Sequence, residues 1–233
     1  MSLFRCPVCG AALERGEWSY SCPAGHSFDL AKEGYVYLLR PDQKRSAAPG
    51  DDKGMAAARR AFLSKDYYRP LLDALCALVC SHTGPAPTLL DAGCGEGYYT
   101  AGIFRSLLEA GKQPCMAGTD ISKPIIRSAA KRERDVEFAV ASSFRLPVAD
   151  GRVDLLLDCF SPLALDEFRR VLRPGGVFLY VVPAADHLWE LKQVLYDRPY
   201  RNEEKETPYP GFSYETIVPV EHTIHLPCRT DIQ

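Results

Sequence analysis

Leu89-Leu90-Asp91-Ala92-Gly93-Cys94-Gly95-Glu96-Gly97-Tyr98-Tyr99 reads as a buried strand that ends in a glycine-rich turn and opens a helix. Glycines at 93, 95 and 97 let the backbone approach a ligand where a Cβ would collide. The spacing is G-x-G-x-G. A dinucleotide fingerprint needs G-x-G-x-x-G, with its third glycine at position 98, where this chain has Tyr98. The turn therefore suits a nucleoside ligand that lacks a pyrophosphate. An acidic residue follows at the end of a second strand, Met116-Ala117-Gly118-Thr119-Asp120, placed to accept hydrogen bonds from ribose hydroxyls. Val171-Leu172-Arg173-Pro174-Gly175-Gly176-Val177-Phe178 reads as a helix-to-strand turn farther along.

Working outward, residues 87–183 alternate strand and helix. Strands are predicted at 88–91, 115–120, 136–140, 153–158 and 176–182, and helices at 98–110, 123–133, 164–172 and 187–196. Such alternation implies an α/β fold with a mostly parallel, doubly wound sheet and a ligand at the carboxyl ends of the strands. Residues 55–64 and 68–81 look helical, and the second carries Leu71, Leu72, Leu75, Leu78 and Val79 at helical spacing. Residues 216–224 are expected to add a sixth strand, and residues 197–213, rich in Pro, Tyr and Glu, form a long loop. The glycine turn, Asp120 and the 171–178 turn together resemble the class I S-adenosylmethionine-dependent methyltransferases. That resemblance implies that Asp91, Gly93, Gly95, Glu96 and Gly97 bind the cofactor, with the turn around its amino-acid moiety. It puts Asp120 at the ribose, and Ser142 and Ser143 at the adenine edge.

Near the amino terminus, Cys6-x-x-Cys9 and Cys22-x-x-x-His26 stand twelve residues apart. Four soft ligands in two close pairs suit tetrahedral zinc. Each pair lies at a turn shaped by proline and glycine, Cys6-Pro7-Val8-Cys9-Gly10 and Cys22-Pro23-Ala24-Gly25-His26. A segment this short has little core of its own, so the metal supplies much of its folding energy.

The chain has 233 residues and a net charge of −2. A chain that binds nucleic acid through its overall field would be basic, so an RNA partner would need a local patch here. The amino terminus lacks an apolar signal segment, and no apolar run reaches the ~18 residues of a membrane span. Nine cysteines, an odd number, fit a reduced cytoplasmic protein.

After the cysteine cluster come Phe28-Asp29-Leu30-Ala31-Lys32-Glu33-Gly34-Tyr35-Val36-Tyr37-Leu38-Leu39, Lys44-Arg45-Ser46, Pro49-Gly50-Asp51 and Ala58-Arg59-Arg60-Ala61-Phe62-Leu63. Farther on stand Val140-Ala141-Ser142-Ser143-Phe144-Arg145-Leu146-Pro147 and His187-Leu188-Trp189-Glu190-Leu191-Lys192. This order, over residues 4–226, closely resembles the bacterial 23S ribosomal RNA (guanine-N1)-methyltransferases with an N-terminal zinc finger. The resemblance implies methylation of a guanosine in a hairpin loop of 23S rRNA, Tyr68 and His187 at the cofactor, and a homodimer. In some members it also implies macrolide or tylosin resistance. The domains expected are a zinc-binding RNA-recognition module (1–40), a linker and helix (41–64) and a methyltransferase domain (65–233). The last is shorter at its C-terminal end than is usual in the family, whose final hairpin would lack one arm here.

Guanine N1 carries a proton at neutral pH, so its methylation needs a base or a polarising hydrogen bond. The fourth strand ends in Leu157-Asp158-Cys159-Phe160-Ser161-Pro162, not in the Asn-Pro-Pro-Tyr type of loop. Asp158 is the candidate base, or else a cap of the following turn. Phe160 either stacks on a flipped guanine or belongs to the core. Lys44, Arg45, Arg59 and Arg60 suit phosphate contacts, and Trp18, Tyr35 and Tyr37 suit stacking on unpaired bases. Two alternatives remain open: a small-molecule methyltransferase of the same fold, and a non-catalytic rRNA-binding resistance or assembly factor.

Overall fold

The computed structural model describes residues 2–43, 53–203 and 208–226. Lys44 and Arg45 lie outside them.

The amino-terminal segment forms a small antiparallel sheet of β1 (Glu14–Arg15), β2 (Ser19–Ser21) and β3 (Ser27–Asp29). Two tight turns flank it. The Gly10 N–H donates to the Cys6 carbonyl and the Gly25 N–H to the Cys22 carbonyl, each at 2.9 Å. Both glycines have positive φ, 76° and 82°, which an L side chain rarely adopts. The chain then leaves this ribbon through β4 (Val36–Tyr37) and the helices α1 (Lys53–Leu63) and α2 (Arg69–Ser81).

The alternating region follows: β5 (Thr88–Ala92), α3 (Tyr98–Glu109), β6 (Cys115–Asp120), α4 (Lys123–Arg132), β7 (Glu137–Val140), β8 (Val153–Cys159), α5 (Leu165–Val171), β9 (Leu172–Val181) and α6 (Trp189–Leu195). The large sheet has the order β4-β7-β6-β5-β8-β9, with every pairing parallel. Glycine and proline leave their mark on β9. Its register against β8 runs from Val153↔Leu172 directly to Leu155↔Val177, so the residues around Gly175 (φ 74°) bulge out.

The sixth strand is not where the sequence put it. Residues 216–224 carry no regular structure, and Ile217 and Val218 are exposed. Alternation of Ile, Val and Thr makes a strand only where an edge accepts it, and Pro219 removes one of the donors such pairing needs. Among the described residues the sixth place is taken by β4, at the opposite edge beside β7. This pairing makes the segment that carries the cysteine cluster continuous with the main sheet.

Strand side chains alternate between faces, which divides the core. Leu89 and Leu155 meet α2, α3 and α4 on one face, with Leu72, Leu75, Tyr99, Ile103, Leu107 and Ile126. Leu90 and Leu156 meet the other face, built by α5 (Phe168, Val171) and by the ribbon residues Phe4, Leu13 and Tyr20. The connection from β7 to β8 contains no helix. The ribbon occupies the space that a crossover helix fills in a doubly wound sheet. It is fastened there by the Phe4↔Val148 bridge and by Glu137 of β7. Glu137 accepts from Tyr20 Oη (2.8 Å), Leu3 N (3.0 Å) and Ser2 Oγ (3.1 Å).

Candidate active site and metal centre

At the carboxyl end of β5 the chain turns through Gly93, Gly95 and Gly97, with φ of 83°, 56° and 80°. The three serve different neighbours. A Cβ on Gly93 would collide with Ser161, and one on Gly97 would stand 3.1 Å from Ala129 of α4. Gly95 alone faces outward, where its nearest neighbour would be the Arg59 guanidinium at 3.9 Å. The turn is held to the end of β6 by its backbone N–H groups. Gly93 N and Cys94 N both donate to the Thr119 carbonyl, and Gly95 N donates to Asp120 Oδ2 at 3.2 Å. Asp120 Oδ1 accepts from Ser122 N at 2.8 Å, so this carboxylate joins the end of β6 to the turn.

Two buried aspartates lie beneath this surface. Asp91 Oδ2 accepts from Thr100 Oγ1 at 2.5 Å, and Asp158 Oδ1 accepts from Ser161 N at 3.1 Å. Their second oxygens, Asp91 Oδ1 and Asp158 Oδ2, are buried and have no hydrogen-bond partner. Burial raises the Asp91 carboxyl to about 7, against the pull of the Thr100 hydroxyl. Burial likewise raises Asp158 to about 6, against its bonds from Ser161. Asp158 thus caps the following turn with one oxygen and keeps the other unengaged. Glu96 behaves differently. Its carboxylate turns to α4, where Oε2 accepts from Arg132 Nη2 (2.6 Å) and Nε (2.9 Å).

Three residues far apart in sequence meet at the mouth of the site. Tyr68 Oη lies 2.9 Å from His187 Nε2, and the Phe160 ring stacks on His187 with centroids 5.7 Å apart and planes at 26°. Tyr68 meets Phe160 edge-on at 6.3 Å. Phe160 is 43% exposed and has φ 56°, a left-handed conformation that costs a bulky residue about 1–3 kcal/mol and clusters at functional sites. Burial, with the Lys192 charge, lowers the pKa of His187 and favours its neutral ring. These three residues border an open groove that continues along β9 and residues 209–226. Ser142 sits at the end of β7, 9% exposed, with its Oγ accepting from Phe144 N at 3.3 Å.

Sequence reasoning missed Ser161 and Arg132, and it assigned Arg59 to phosphate contacts without its place beside Gly95. Ser161 donates its hydroxyl to the Ala92 carbonyl (2.9 Å), which binds the end of β8 to the glycine turn. No local pattern marks it, because its partner lies 69 residues away. Arg132 had a signal: a cation in the last turn of a helix that packs on the glycine turn. Tyr35 was expected to stack on RNA, but it is only 4% exposed and packs in the core with Leu39 and Val140. Its place next to β4 explains this, since pairing with β7 draws it under the sheet. Trp18 is 76% exposed at the edge of the ribbon.

The ligand atoms of Cys6, Cys9, Cys22 and His26 all lie within 4.8 Å of one another. Cys9 Sγ and Cys22 Sγ are 3.6 Å apart, and His26 Nδ1 is 3.6 Å from Cys6 Sγ and 3.3 Å from Cys22 Sγ. Zinc–sulfur bonds of ~2.3 Å give tetrahedral edges of roughly 3.8 Å, so the quartet fits that ion. The outward-facing Gly95 and the unengaged oxygens of Asp91 and Asp158 likewise fit a nucleoside cofactor carrying an ammonium group.

A parallel sheet with a glycine turn after its central strand, and carboxylates at the neighbouring strand ends, defines a class I S-adenosylmethionine-dependent methyltransferase. Residues 85–212 match the model of a methyltransferase domain, and residues 4–47 match the zinc-ribbon family described as RlmA, N-terminal. The 23S rRNA (guanine(748)-N(1))-methyltransferase of Streptomyces fradiae is 37% identical over 82% of this chain and 67% of its own. A Micromonospora griseorubida protein named as a 23S rRNA (guanine-N(1)-)-methyltransferase is 39% identical over 80% and 68%. A malonyl-[acyl-carrier protein] O-methyltransferase of Serratia marcescens is 34% identical but matches only 46% of this chain. The chain belongs to the 23S rRNA (guanine-N1)-methyltransferase family. Its cofactors are S-adenosylmethionine and zinc.

Proposed function

We infer that the protein methylates N1 of a guanine in 23S ribosomal RNA. The observation that carries this reading is the 37–39% identity to guanine-N1 relatives over about four fifths of the chain. The small-molecule reading draws on the O-methyltransferase likeness, which leaves more than half of the chain unmatched. The non-catalytic reading gives no account of two buried carboxylates with unengaged oxygens at the strand ends.

S-adenosylmethionine supplies an electrophilic methyl group. The chain's task is then to hold the acceptor and remove its proton. We assign the cofactor to Asp91, Gly93, Gly95, Gly97, Asp120, Ser142, Tyr68 and His187, with Glu96 acting through its bond to Arg132. Phe160, exposed and fixed against His187, offers a face for the target base. Asp158 Oδ2 accepts the N1 proton, and a carboxyl raised to about 6 is better matched to that task than an ordinary one. Zinc is assigned to Cys6, Cys9, Cys22 and His26.

The finer features belong to the same proposal: a hairpin-loop target, a homodimer, a cytoplasmic location beside ribosomal RNA, and macrolide resistance as the phenotype. So do the zinc-binding module at 1–40, the linker and helix at 41–64 and the methyltransferase domain at 65–233. Among the described residues, no helix is long and apolar enough to cross a membrane.

Incubation of purified protein with unmodified 23S rRNA and methyl-labelled cofactor, followed by nucleoside mass spectrometry, tests the reading. Label in 1-methylguanosine supports it. Label confined to another nucleoside, or none at all, refutes it.

A further inference from the structure

A second cleft, of roughly 520 Å³, lies between α1 and α4 and shares no residue with the aromatic groove except Ala61. Ala56, Ala57, Ala61 and Pro124 line it with short side chains, which keep it open. Its polar lining is cationic and hydroxylic: Arg60 and Ser64 on the α1 side, Lys123, Arg127 and Ser128 on α4. Lys131 extends the set, because positions 123, 127 and 131 recur every four residues and share one helix face. Arg60, Lys123, Arg127 and Lys131 are all exposed.

Two carboxylates act on this group, Glu33 and Glu96. Each is already held by an arginine, Glu33 by Arg127 at 2.7 Å and Glu96 by Arg132 at 2.6 Å. Among the described residues Arg60, Lys123 and Lys131 make no ion pair. Unpaired cations thus gather on one face of a chain whose net charge is −2. The local patch that an RNA partner requires of an acidic chain is present here.

The position of the cleft fits its charge. Lys123 follows Asp120 by three residues, so the cleft opens at the carboxyl end of β6, beside the glycine turn. Arg59, next to Arg60, already faces Gly95. Glu33 and Tyr35 belong to the segment that joins the zinc ribbon to β4. The cleft therefore lies on the α4 face of the sheet, beside the glycine turn, and the segment that leads from the ribbon to β4 borders it. The stripe from 123 to 131 spans ~12 Å at 1.5 Å per residue, longer than one small anion requires.

We propose that the α1–α4 cleft is the track for the sugar–phosphate backbone of the RNA strand that delivers the target base, with Arg60, Lys123 and Lys131 on its phosphates. This rests on the reading that the chain acts on ribosomal RNA. The short apolar lining accepts a ribose or base edge, while the cations and the hydroxyls of Ser64 and Ser128 meet phosphate oxygens. Such contacts set register and affinity rather than base identity.

The test is a salt titration of the full chain with a labelled 23S rRNA fragment centred on guanine 748, the base in the name of the Streptomyces fradiae relative. Arg60→Ala with Lys123→Ala should weaken binding about 10- to 100-fold near 0.1 M salt. It should also flatten the slope of log K against log salt by about 1.5, because each phosphate contact accounts for ~0.7–0.9 of that slope. Lys123→Gln alone should give about half of the slope change, and Arg60→Lys with Lys123→Arg should restore it. Arg173→Ala, a control at the other end of the sheet, should bind like the parent. Affinity for S-adenosylmethionine by calorimetry should stay within about twofold in every variant. A parent that binds the fragment while the alanine and glutamine variants match it in affinity and slope overturns the track and leaves the rRNA reading standing. A parent that binds no RNA at any salt overturns both.

Discussion

Asp158 is the residue to which we assign both a structural and a chemical role. Its Oδ1 caps the turn through Ser161 N, while its buried Oδ2 stays unpartnered. The sequence offered cap and base as alternatives; the geometry makes them compatible. Because burial raises this carboxyl to about 6, the group is protonated below that pH and unable to accept the guanine proton. The single-turnover rate of the parent should rise with pH through about 6 and then level. Asp158→Asn keeps the cap and removes the acceptor, so it should lower the rate by ~10²–10⁴-fold and abolish the rising limb. A variant within a few-fold of the parent, with the limb intact, would assign deprotonation to another group. Asp120 is a second residue with a measurable consequence. Asp120→Ala removes the carboxylate that joins β6 to the glycine turn and that we assign to the ribose, and should weaken cofactor binding by ~1.5–3 kcal/mol in calorimetry. Unchanged affinity would remove Asp120 from the cofactor site. Such single residues were legible in sequence because each stands at the end of a strand in a βα repeat. Arg132 and Ser161 were not, because what makes them matter is a neighbour brought close only by packing.

At the scale of elements, the helices at 98–109 and 123–132 and the strands beginning near 88, 115, 137 and 153 were readable within one or two residues. Their periodicity is strong and glycine or proline punctuates their ends. The strand expected at 216–224 failed for the opposite reason. Local alternation cannot say whether an edge will accept a strand, and the edge that gained one belongs to β4, only two residues long. The ribbon is the element with most at stake. It covers Leu90 and Leu156 beside α5, where the β7–β8 connection supplies no helix, and Glu137 fastens it through Tyr20. Loss of zinc should therefore reach the main sheet. Treatment with a strong chelator, or Cys22→Ser, should lower the melting temperature of the whole chain and raise binding of a hydrophobic dye. An unchanged main transition, with only the ribbon signal lost, would mean that the two parts fold independently.

At the scale of the whole molecule, charge is the feature that averages conceal. A net of −2 argues against nucleic acid, yet α1 and α4 bring Arg60, Lys123, Arg127 and Lys131 together near the glycine turn. The zinc ribbon packs on one face of the sheet and the aromatic trio of Tyr68, Phe160 and His187 marks the mouth of the site. An RNA strand bound along α4 would run on the opposite face from the ribbon, past the glycine turn. The central claim is that this assembly modifies a guanine at N1 in 23S rRNA, and cells test it most directly. Ribosomal RNA from a strain carrying the gene and from an otherwise identical strain lacking it should be digested and compared by nucleoside mass spectrometry. The account predicts one additional 1-methylguanosine per 23S rRNA in the first strain, and its loss when the gene carries Asp158→Asn. Identical 1-methylguanosine content in the two strains would contradict it.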